Sequence, residues 1–95
     1  MTTISSVQMG INMSAWQTKT DVFVQYNGGA NAADLASLNI RIVSQSGFVE
    51  SRVINAPVPN TTWQFTYIGN SNANRVNVVG TFKDGSQQTV LFTYV

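Results

Sequence analysis

The chain has 95 residues, 43% hydrophobic and 11% aromatic, enough for one filled core and too short for a second domain. Only 9% are charged, five basic residues against four acids. Ser, Thr, Asn and Gln therefore carry most of the polarity, and no cationic stripe for nucleic acid is present. Cys and His are both absent, which removes disulfides, thiolate or imidazole metal ligands, and the usual nucleophile and general base together.

Residues 4–14 read as a first strand. Residues 21–26 place Val22, Val24 and Tyr26 on one face and Phe23 on the other, the pattern of a strand covered on both sides. The small residues of 27–34, with Gly28 and Gly29 free to take positive φ, form a connection with room for one helical turn. Over 37–44, Leu38, Ile40 and Ile42 alternate with Asn39 and Arg41, which is the period of a half-buried strand. Gly47 turns the chain at 44–47 into a further strand over 48–54. Pro57 and Pro59 end that strand and make 56–60 a loop or edge, because proline has no ladder donor.

Residues 62–68 alternate Trp63, Phe65 and Tyr67 with Gln64 and Thr66, and a turn-rich loop follows at 70–74. Residues 75–82 and 87–95 flank Lys83-Asp84-Gly85-Ser86, a strong hairpin signal. Turn residues recurring every eight to twelve positions among about seven strands predict a single all-β domain over 1–95, an immunoglobulin-like β-sandwich. Trp63, Phe65, Tyr67, Phe82 and Phe92 are the expected aromatic core.

No catalytic, cofactor-binding or metal-binding residue is assigned. Asp21, Asp34, Glu50 and Asp84 are scattered, and three of them fall at strand ends or turns, where carboxylates cap backbone amides. Asp34 or Asp84 could join backbone carbonyls and Asn side chains from neighbouring loops around calcium, but no EF-hand or repeated Asp-x-Asp spacing accompanies them. Trp16 stands among polar residues in Ser14-Ala15-Trp16-Gln17, outside any alternating pattern, and is the candidate exposed aromatic contact. Asn12-Met13-Ser14 and Asn60-Thr61-Thr62 are N-glycosylation acceptor motifs, with Asn60 in an expected loop and Asn12 in an expected strand. The sequence holds no run of eighteen apolar residues and no signal-peptide pattern.

At Tyr26-Asn27-Gly28-Gly29, at Leu35 and Leu38-Asn39-Ile40-Arg41-Ile42, and over Gly80-Thr81-Phe82-Lys83-Asp84-Gly85-Ser86-Gln87-Gln88-Thr89-Val90-Leu91, the chain resembles archaeal type IV pilin-like proteins. The likeness runs from about residue 20 to the end. Ala30 stands where an Asp often follows the glycine pair, so no polar role for that turn carries over. The resemblance implies an immunoglobulin-like sandwich preceded by a hydrophobic N-terminal helix, which residues 1–95 do not contain. It implies the extracellular or pseudoperiplasmic domain of a pilin or of an archaellum accessory protein, membrane-anchored only through that helix. The partner would be itself, a related filament subunit or the surface layer.

The resulting expectation is a non-enzymatic assembly domain, without cofactor and without nucleic acid as partner. A carbohydrate-binding module using Trp16, or a virion decoration or tail domain, are the alternatives.

Overall fold

The computed structural model describes residues 3–18, 21–44, 47–66 and 74–95. Alternating apolar and polar residues fold them into eight strands: β1 (Ile4–Gln8), β2 (Ile11–Gln17), β3 (Val22–Tyr26), β4 (Leu35–Val43), β5 (Val49–Asn55), β6 (Thr61–Phe65), β7 (Arg75–Phe82) and β8 (Gln87–Tyr94). A single 3-10 turn, Ala32–Asp34, precedes β4. The strands form two antiparallel sheets, β1-β2-β3-β6 and β5-β4-β7-β8, so the chain changes sheet after β3, β5 and β6. This is an immunoglobulin-like β-sandwich.

The count is eight strands where about seven were expected, because residues 4–14 are two strands. Gln8 and Ile11 face each other across Met9 and Gly10, which take φ of 54° and 70°. Positive φ at both central residues is the type I′ geometry that matches strand twist. Met9 hides the signal, since Asn or Asp usually occupies its position. The Lys83-Asp84-Gly85-Ser86 hairpin forms as expected. Gly85 at φ 90° donates to the Phe82 carbonyl and the Phe82 amide donates to that of Ser86, at 2.9 and 2.8 Å. The turn expected at 70–74 lies mostly outside the described residues, as do Tyr67, Gln45 and Ser46.

The inward faces supply one core. Ile11, Met13 and Ala15 of β2, Val22, Val24 and Tyr26 of β3, Leu38, Ile40 and Ile42 of β4, and Val76 and Val78 of β7 are all buried. Each large aliphatic side chain so buried stabilises by about 1.5–3 kcal/mol relative to exposure. Among the expected core aromatics, Phe65 and Phe82 are inside and Trp63 is half-buried against them.

Phe92 is not in the core: it is 51% exposed. The register shifts between Val78 and Val79, with Val78 opposite Leu91 and Val79 opposite Thr89, so Val90 is the extra residue of a β-bulge. Val90 and Leu91 consequently both point inward, and Phe92 and Tyr94 turn outward. Strict alternation cannot show this inversion.

The two hairpin tips and the β3–β4 connection meet at one pole. The Asn12 amide donates to the Gly28 carbonyl at 2.7 Å, and the Asn31 amide donates to that of Gly10 at 3.1 Å. Gly29, at φ 133°, lies so close that a Cβ on it would stand 2.2 Å from the Gly10 oxygen. Gly29→Ala should therefore lower stability in urea unfolding by about 2–4 kcal/mol, through strain plus clash. Gly85→Ala, which also has positive φ but open space around it, should lose only about 1 kcal/mol. Equal losses would refute the close-approach explanation.

Candidate functional site

Two surfaces stand out, and they belong to opposite parts of the sandwich. The first is the outer face of the β5-β4-β7-β8 sheet. Register places Val49, Val43, Arg75 and Tyr94 in one row and Ser51, Arg41, Asn77 and Phe92 in the next. Val53, Asn39, Val79 and Thr89 follow. Phe92 and Tyr94 are 51% and 55% exposed and meet edge to face at 6.0 Å. Val49 and Val53 are exposed on the far edge strand. Arg41 and Arg75 are exposed between the apolar groups, and no Asp or Glu lies in these rows. Asn77 sits between Arg41 and Phe92 with its Oδ1 buried and unbonded, an arrangement that ordinarily costs about 1–3 kcal/mol.

The second surface is the pole where the loops meet. A cleft of about 600 Å³ there is lined by Met9, Asn31, Asp34, Phe82, Lys83, Asp84 and Ser86. Its walls are tied together: Asn31 Nδ2 donates to the Met9 carbonyl at 2.9 Å, and the Lys83 amide donates to the Asp34 carbonyl at 2.8 Å. Asp84 Oδ1 accepts from the Ser86 hydroxyl at 2.6 Å and from the Ser86 amide at 2.9 Å. These bonds, the hydroxyl first, hold the Asp84 carboxyl below its ordinary value. The cleft thus offers charge and hydrogen bonds above an apolar floor. The fold brings Asp34 and Asp84 to this one cleft, but among the described residues no three acidic groups gather as a metal-ligand set.

Trp16 lies inside β2, directly opposite Phe23 on β3, and the two rings stack 5.5 Å apart and 8° from parallel. One face of its ring is therefore covered by Phe23, the residue whose strand was expected to be covered on both sides. Beside this pair the Gln64 amide donates to Asp21 at 2.6 Å. Asn12 is half-buried in β2, and its side-chain oxygen accepts from Asn27 at 3.4 Å. Asn60 is exposed at φ 67° just before β6, as its place in a loop implied. Sequence reasoning missed Met9, Asn31, Lys83 and Ser86 as a group, because only the fold brings their three segments together. It also missed the outward turn of Phe92 and Tyr94; the adjacent apolar pair Val90-Leu91 is the one local mark of the bulge.

Replacing Ser86 by Ala removes the hydroxyl bond and should raise the Asp84 pKa toward the ordinary carboxylate range, read by NMR titration of the carboxyl carbon. The sign follows from linkage. A carboxyl depressed in the folded state adds stability above its unfolded pKa, and that contribution disappears as pH falls through the lowered folded value. An unmoved titration would show that the hydroxyl is not the cause. Comparison with protein-family models, curated protein sequences and solved structures gave no match for this chain.

Proposed function

We propose that this chain is a non-enzymatic assembly domain of an archaeal surface filament, a pilin-like subunit or an archaellum accessory protein, that works by self-association. The observation that carries the reading is the outer face of the β5-β4-β7-β8 sheet, where Phe92 and Tyr94 stand more than half exposed on a strand that a bulge has turned outward. Aromatic residues beside arginines are the composition of protein-contact hot spots. The pilin-like segments support the filament setting and its extracellular or pseudoperiplasmic location.

β1 begins and β8 ends at the pole opposite the cleft, since Ile4 pairs with Ala15 and Tyr94 with Arg75, while Met9 lines the cleft. A helix joined ahead of β1 would leave the cleft pole free. Among the described residues no helix is long and apolar enough to cross a membrane.

Sedimentation velocity over a concentration series tests the proposal. The native chain should show weight-average sedimentation rising with concentration. Phe92→Glu should weaken association at least about tenfold, because it places a charge in the apolar centre of the contact. Gln25→Glu, on the outer face of the other sheet, should behave as the native chain does. A native chain that stays monomeric throughout would sink the self-association reading, and co-sedimentation with surface-layer protein would then identify the layer as partner instead.

A further inference from the structure

We infer that the surface of the second copy that seats on the Arg41 and Arg75 face is the pole around the cleft, so that copies join head to tail. This rests on the self-association reading above and adds which two surfaces meet. The argument begins with charge. Arg41 is directly opposite Asn77, and Arg75 lies two residues along the same strand, a diagonal neighbour at about 7–8 Å. A symmetric dimer that paired this face with itself would bring four guanidinium groups into one contact with no carboxylate from the face. Like charges opposed in an interface cost several kcal/mol. An asymmetric contact is the alternative, and it needs a surface that brings acids.

The chain has four acids, and two do not line the cleft. Glu50 pairs with Arg52 at 3.8 Å on the inward side of β5, and Asp21 accepts the Gln64 amide. The other two, Asp34 and Asp84, both line the cleft. Asp84 uses Oδ1 for Ser86, and that bonding lowers its pKa. The same cleft has an apolar component, Met9 and Phe82, to receive Phe92 and Tyr94 while the carboxylates meet the guanidinium groups. Lys83 on the cleft wall opposes this attraction and leaves the site with one net negative charge.

Placement agrees with charge. The Arg75 and Tyr94 row lies at the end of the sheet where β7 begins, and the cleft lies where β7 ends. The two surfaces are thus separated along a domain whose longest extent is 37 Å. A contact between different surfaces of identical copies propagates as an open chain unless its rotation closes a ring.

Charge exchange tests the pairing. One variant carries Arg41→Glu with Arg75→Glu, the other Asp34→Arg with Asp84→Arg. Each alone should associate at least about tenfold more weakly than the native chain, and an equimolar mixture should regain association, because every contact then again joins opposite charges. Lys83→Gln should tighten the native contact. Circular dichroism and thermal melting establish that each variant is folded. If the native chain associates and the Asp34/Asp84 variant associates equally well, the head-to-tail pairing is wrong while the face reading stands. Two folded, monomeric variants whose mixture also stays monomeric overturn the pairing as well. A native chain that never associates removes both readings.

Discussion

The close backbone approach of Gly29 to the carbonyl of Gly10 fixes how the chain passes from one sheet to the other. It joins the tip of the β1–β2 hairpin to the segment that leaves β3 for β4, and neighbouring bonds through Asn12, Asn27 and Asn31 hold the junction. Without a Cβ at residue 29 the two backbones share a hydrogen-bonded seam instead of a side-chain layer. The cleft exists because this seam sets Met9 and Asn31 opposite the β7–β8 hairpin. Gly29 therefore acts through backbone proximity.

The open sides of a sandwich present sheet edges, and this chain treats its edges differently. On β5 two of the three inward positions carry Glu50 and Arg52, with Ile54 at the third, and the Arg52 guanidinium lies 4.4 Å from the centre of the Phe65 ring. Inward charges on an edge strand discourage further strand pairing, and the cation–π contact lets Arg52 cover the core while its head meets water. At the opposite end of the β7–β8 pair, buried Asn74 bonds Gln17 of the other sheet and the carbonyl of Val95. That polar tie links the two sheets.

Much of this architecture was legible because the alternation is clean where strands are covered on one side. Leu38, Ile40 and Ile42 were assigned to the core and are there, and Asn39 and Arg41 point outward as expected. Asp84-Gly85 marked its turn for a chemical reason, the ease with which Gly takes positive φ. The reading failed where an irregularity interrupts the period. Met9 in a left-handed turn carried no sequence signature, so one strand was read where there are two. Trp16 looked irregular in sequence because it stands among polar residues, yet it continues β2 and packs across the sheet on Phe23. The cleft was illegible for a different reason: three segments build it, and local pattern says nothing about which loops share a pole.

The bulge at Val90 also makes the chemistry of one surface depend on how a single extra residue is accommodated. Side-chain direction along a strand has a period of two, so the bulge decides which residues of β8 are lining and which are exterior. Thr89 faces outward, Val90 and Leu91 both face inward, and Phe92 and Tyr94 face outward again. A strand lacking Val90 would keep these faces, whereas the same residues paired straight through Val90 without a bulge would turn Phe92 and Tyr94 inward and put Leu91 and Thr93 outside. The aromatic exterior therefore depends on where β8 absorbs its extra residue.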